Sequence, residues 1–149
     1  MEPARLLKKL KDKKIKDLDV RFAHHHRAVF AQTDCLACAN CCKTTSPIFL
    51  DKDIERIAQH LKMRPAHFVE KYLYLDDEKD YVLHAAPCPF LNADNRCGIY
   101  EVRPKACQGY PHTDRKNIIA LFPKTVENAK ICPAVAEILT RLQLEIMGY

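Results

Sequence analysis

Four cysteines within eight residues leave a chain few ways to fold: Cys35, Cys38, Cys41 and Cys42 form a Cys-x2-Cys-x2-Cys-Cys cluster. Cys88, Cys97, Cys107 and Cys132 follow as spaced singles. Gaps of two residues let a tight turn bring thiolates three apart to the same side, where they can meet one ion. A disulfide framework accounts poorly for this pattern. Such scaffolds are usually shorter, secreted chains, and the N-terminus here is charged and lacks the apolar stretch of a secretory signal. Adjacent Cys41 and Cys42 would also need separate partners. A single buried thiol often behaves as a small hydrophobe, but a dense quartet flanked by Ala, Asn and Lys is not a core stripe. All eight cysteines are therefore candidate metal ligands.

Zinc and iron–sulfur clusters both fit. Zinc takes four thiolates in a closed tetrahedral site and stabilises small domains that lack core. Iron–sulfur clusters also take four cysteines, often a short-gapped run with a distant Cys-Pro, and both Cys88-Pro89 and Cys132-Pro133 have that form. The run Cys35-Leu36-Ala37-Cys38-Ala39-Asn40-Cys41 matches the opening of a bacterial ferredoxin motif, from which Cys42 departs by following Cys41 directly. On an extended backbone adjacent side chains point oppositely, so Cys41 and Cys42 are expected to serve two neighbouring ions, or one of them to pack against apolar groups. Lys43, Arg96, Arg103, Lys105 and Lys130 lie within four residues of a cysteine and can offset thiolate charge. Arg103, held in a rigid turn before Pro104, is the strongest candidate among them.

A second ordered pattern runs downstream: Cys88-Pro89-Phe90-Leu91, then Cys97-Gly98-Ile99-Tyr100-Glu101-Val102-Arg103-Pro104, Cys107 and Tyr110-Pro111. With the quartet, it resembles the YkgJ-type cysteine-cluster family, whose members carry a CxxCxxCC signature and are described as zinc- or iron-chelating. The resemblance covers about residues 35–133 and implies a cytoplasmic metal-binding domain. It also brings a distant association with lysine methylation of flagellin, although no methyltransferase residues match onto this chain.

Several function classes are excluded or disfavoured. Glycine occurs only at Gly98, Gly109 and Gly148, so no glycine-rich turn can cradle a nucleotide or S-adenosylmethionine in the usual way. The Cys-x3-Cys-x2-Cys spacing of radical-type methionine chemistry is absent. No apolar run approaches the ~20 residues needed to span a bilayer, so no membrane association is expected. No nucleophile–base pair or carboxylate dyad names a reaction, and Asp34, Asp94 and Glu101 read as turn or capping residues. Whether the chain is an enzyme is left open.

The net charge of +5 resides in the first 27 residues, where nine Lys and Arg face four Asp and Glu. Leu6, Leu7, Leu10, Ile15, Leu18 and Phe22 occupy half of a helical wheel. Residues 1–30 therefore read as a basic amphipathic helical segment ahead of a cysteine-cluster domain at 31–149. The basic face offers charge to RNA or an acidic partner, but aromatic stacking residues are lacking and packing on the domain explains it more simply. His24, His25 and His26 point in different directions on a helix and cannot chelate jointly.

Asp51 is expected to cap a helix at 52–62, and Pro65 to open another through about Leu75. Residues 76–80 read as a polar linker, 81–84 and 118–122 as short strands, and 92–95 as a turn across which Cys88 and Cys97 can face each other. Pro133 starts a last helix with Val135, Ile138, Leu139, Leu142 and Ile146 at core spacing. Cys132, just before it, sits where free backbone N–H groups favour a thiolate. The expected fold is a small metal-stabilised single domain, mainly α, with a cysteine-rich irregular lobe and little short strand. Two functions follow: a metal-binding structural or interaction module holding zinc or an iron–sulfur cluster, or an iron-dependent redox or protein-modifying enzyme.

Overall fold

Apolar spacing at three and four residues recurs along most of this sequence, and a computed structural model describing residues 1–149 shows helices wherever it is strongest. In chain order these are α1 (Pro3–Asp12), α2 (Leu18–Phe30), α3 (Cys35–Cys38), α4 (Asn40–Thr44), α5 (Asp51–His60) and α6 (Pro65–Tyr72). Strands β1 (Leu73–Leu75) and β2 (Tyr81–Leu83) follow, then α7 (Lys105–Gln108), α8 (Phe122–Ile131) and α9 (Pro133–Met147). The class is the expected one: mainly helical, with an irregular cysteine-bearing stretch and a single two-stranded sheet. No helix is long and apolar enough to cross a membrane. Contacts sort the chain into two compact units, Met1–Asp34 with Pro111–Tyr149, and Cys35–Tyr110.

The first unit is built from α1, α2, α8 and α9 around an aliphatic core. Leu6, Leu7, Leu10, Phe22, Ile118, Val135, Ile138 and Leu142 are almost wholly buried there. The N-terminal segment is two helices rather than the single one expected. Lys14 takes a left-handed backbone, the Lys14 N–H bonds the Lys11 carbonyl, and the Ile15 N–H reaches back to Leu10. This is a Schellman ending with lysine in the place usually held by glycine. The expected strand at 118–122 is instead a 3-10 turn, Ile118–Leu121, running into α8. Both Asp19 carboxylate oxygens accept backbone N–H groups, from Asn117 at 2.7 Å and Ile118 at 2.9 Å, which curls the segment. Pro123 then starts α8, a helix that its apolar pattern alone did not announce.

The second unit closes around Phe49, Ile54, Ile57, Ala58, Phe68, Leu73, Leu83, Phe90 and Ile99. Its centre is aromatic: Phe68 and Phe90 stack at 6.2 Å between ring centroids, and Tyr72 meets Phe90 at 4.9 Å. Residues 73–75, expected as the end of a helix, form β1 and pair antiparallel with β2, Leu73 opposite Leu83. The stretch 76–80 is the hairpin loop, where the Asp76 carboxylate accepts the N–H groups of Glu78 and Asp80. Asp51 opens α5, but its side chain is not the cap. Asp53 bends back instead, its Oδ2 accepting the Leu50 N–H at 2.9 Å. Lys62 ends α5 in a left-handed conformation, with the Met63 N–H bonded to Ala58.

Candidate metal centre

The quartet is divided between two short helical pieces. Cys35 and Cys38 are the ends of the single turn α3, Ala39 follows in a left-handed conformation, and Cys41 and Cys42 lie on α4. The Ala39 N–H closes α3 onto Cys35 at 2.7 Å, and the Lys43 N–H opens α4 on Ala39. Ala39 is itself buried, so this corner is anchored in the unit. On a helix adjacent side chains diverge by about 100° rather than 180°. The expectation that Cys41 and Cys42 point apart is thereby corrected: the Cys41 thiol hydrogen-bonds the Cys42 sulfur. This bond pushes the Cys41 thiol far above its ordinary range and pulls Cys42 below its own.

Two later segments bring further thiols to this pair. The Cys88 N–H bonds the Cys42 carbonyl at 2.7 Å, fixing the start of one segment against α4. The chain then turns at 92–95, with the Asn95 N–H on the Asn92 carbonyl, and returns with Cys97 bridged to Leu91. Gly98 is the residue that permits the return. Its N–H bonds the Phe90 carbonyl at 2.7 Å, and a Cβ there would stand 3.2 Å from that oxygen. Asn95 Nδ2 also donates to the Leu36 carbonyl at 2.6 Å, tying the turn to α3. Cys107 comes from α7, a single turn opened by Pro104.

Cys41, Cys88, Cys97 and Cys107 are close enough for their charges to act on the protonation of Cys42, Cys88 or Cys107. Burial raises the Cys88 thiol, against the backbone N–H groups of Phe90 and Leu91. Burial also pushes Cys107 up to about 12, helped by the charges of Cys88, Cys97 and Cys41 and opposed by Arg103. Arg103 thus acts on the Cys107 thiol, and it lies 4.0 Å from the Tyr100 ring centroid. Arg96 pairs with Asp94 and Lys130 with Glu127, both in exposed positions. No disulfide joins any of the eight cysteines.

Cys35 is exposed and Cys38 half-buried, both in the same unit as the five coupled thiols. Cys132 belongs to the helical unit, sits at the N-terminus of α9 without a side-chain capping bond, and packs partly buried against that unit's core. No three His, Cys, Asp or Glu side chains stand about a common point as a finished coordination sphere. The chemistry of these thiols suits a thiophilic ion: they are soft donors, and the charge of neighbouring cysteines opposes ionisation of Cys42, Cys88 and Cys107. A bound cation would offset the repulsion that opposes their joint ionisation.

Asp53 and Arg56 on α5 went unnoticed in the sequence, yet both reach the cysteine-bearing stretch. Asp53 Oδ1 accepts the Lys105 N–H at 3.1 Å, and Arg56 Nη2 donates to the Arg103 carbonyl at 2.9 Å. An Asp–Arg pair three apart is commonplace on helices, and nothing in its spacing reveals that the carboxylate is buried.

Comparison with known proteins agrees with this reading. A family model named CxxCxxCC, described as "Putative zinc- or iron-chelating domain", matches residues 34–133. A relative in Methanocaldococcus jannaschii, Uncharacterized protein MJ0661, is 30% identical over 120 residues, which is 76% of this chain and 59% of that protein. The chain therefore spans less than two thirds of this relative's length. No solved structure matches it.

Proposed function

This chain belongs to the CxxCxxCC family, and from that premise we propose that it is a metal-binding module whose cysteine-bearing unit is held in shape by zinc or an iron–sulfur cluster. The observation carrying this reading is the convergence of Cys41, Cys42, Cys88, Cys97 and Cys107 from three separate segments. Cys88 and Cys97 pack partly buried against the aromatic core, but packing alone does not call for Cys41, Cys42 and Cys107 beside them. Five thiols exceed the four that close a zinc site or a cubane cluster. Cys35 and Cys38, in the same unit, are the further thiolates that a second ion would draw upon. Bound metal would supply structural cross-linking among these segments, work that disulfides perform in secreted domains of similar size.

The test is elemental analysis of protein purified without oxygen, with its absorption spectrum. Zinc gives a colourless protein and an iron–sulfur cluster a brown one. Cys42→Ser and Cys88→Ser are expected to lower the bound metal. Protein that carries no zinc or iron, takes up neither when offered, and folds identically either way would overturn the proposal.

A further inference from the structure

We infer that Asp53 and Arg56 form a bracket that positions Cys107 for metal binding, an inference that rests on the metal-binding reading above. Asp53 is 2% exposed, and a carboxylate so buried is tolerated only when its oxygens are satisfied. One oxygen, Oδ2, serves α5 itself through the Leu50 N–H. The other, Oδ1, accepts Arg56 Nη2 at 2.8 Å and the Lys105 N–H at 3.1 Å. Arg56 extends the same grip: its Nη2 reaches the Arg103 carbonyl at 2.9 Å and its Nε the Val102 carbonyl at 3.4 Å. The planar guanidinium presents these donors as a fixed fork, which an ammonium cannot reproduce.

Every one of these outward bonds lands on backbone between residues 102 and 105. Capping α5 needs only the Leu50 bond; the remaining contacts fasten a loop. Beyond that loop the next residues form α7, where the Cys107 N–H closes the turn on Pro104 at 2.9 Å. Less than one helical turn thus separates the bracket from the thiol, so displacing residues 103–105 displaces Cys107. Outer-shell groups that orient metal ligands typically affect affinity by about 10- to 100-fold. Asp53 and Arg56 would act in that way, through the backbone rather than through a ligand's side chain.

The experiment uses full-length protein, stripped of metal and titrated anaerobically with cobalt(II), whose thiolate charge-transfer bands report the number of bound sulfurs. Cys107→Ser is expected to remove one thiolate, about a quarter of the band of a four-thiolate site. Asp53→Asn should reproduce that loss and weaken cobalt binding about tenfold. The double variant should lose no more than Cys107→Ser alone, because both changes act on one ligand. Arg56→Lys keeps the charge but not the fork and should show a smaller loss in the same direction. It also serves if Asp53→Asn fails to fold, since the Arg56 side chain is 38% exposed. Unmodified protein without a thiolate band would overturn the metal-binding reading itself and the bracket with it. A normal band in unmodified protein that stays unchanged in Asp53→Asn and Arg56→Lys, or losses that add in the double variant, would overturn the bracket alone.

Discussion

The helical unit, Met1–Asp34 with Pro111–Tyr149, surrounds its core with leucine, isoleucine and valine from four amphipathic helices. The unit Cys35–Tyr110 has an aromatic core under α5, α6 and the hairpin, but its cysteine-bearing turns contribute little to it beyond Phe90 and Ile99. Burial of aliphatic surface at roughly 25 cal/mol per Å² can offset the entropy of ordering a helix. Irregular turns bury too little for that and need another source of order. On the proposed reading, one chain contains a part that packing sustains and a part that metal cross-links among thiols would order. The most informative experiments perturb the two parts separately.

Metal removal should separate them most. Structural zinc contributes on the order of 10 kcal/mol to small thiolate sites. Chelation, or Cys38→Ser, should lower the melting temperature and make residues 35–48 and 84–110 readily cleaved by protease. Amide protection of Leu10 and Leu139 should persist. Equal protease resistance and equal melting of stripped and loaded protein would erase the contrast.

The reverse perturbation is a cavity in the aliphatic core. Ile138→Ala, at a wholly buried position, should cost about 2–5 kcal/mol in denaturant unfolding. Metal stoichiometry should stay unchanged, and a fall in bound metal would show that the units are not energetically separate.

A smaller effect is expected inside the cysteine-bearing unit. Gly98→Ala places a Cβ 3.2 Å from the Phe90 carbonyl, and overpacking of this kind costs about 1–3 kcal/mol. The loss should appear in metal-loaded and stripped protein alike if it is steric. A loss seen only with metal bound would place the effect on Cys97.

The smallest concerns acid. Glu145 accepts bonds from His25 and Arg21, each at 2.7 Å, and these hold its carboxyl below the ordinary value of 4.5. The folded state then binds fewer protons than the unfolded state. The contribution is complete above 4.5 and is lost as pH falls through the lowered folded value. Because the pair is 37% exposed, solvent limits it to about 0.2–1 kcal/mol. Glu145→Gln should flatten the acid limb of stability by that amount. His26, lowered from 6.5 chiefly by burial, acts in the same direction at higher pH: its share is complete above 6.5 and declines as protonation begins. An NMR titration placing His26 above 6.5 would contradict this.

The sequence by itself determined the helical class, the last helix from Pro133 and the turn at 92–95. These follow from periodicity and from proline and asparagine chemistry, which act within a few residues. Only the tertiary structure decided where helices stop and how the quartet is oriented. With three glycines in the chain, several left-handed positions fall to residues such as Lys14, Ala39 and Lys62, which announce no break. The break at Ala39 puts Cys41 and Cys42 on a helix and so on one side, which residue spacing alone could not show. Asp53 and Arg56 were hidden for the same kind of reason. Their partners are backbone groups some fifty residues away, and a bond to a distant carbonyl leaves no periodic trace in either segment.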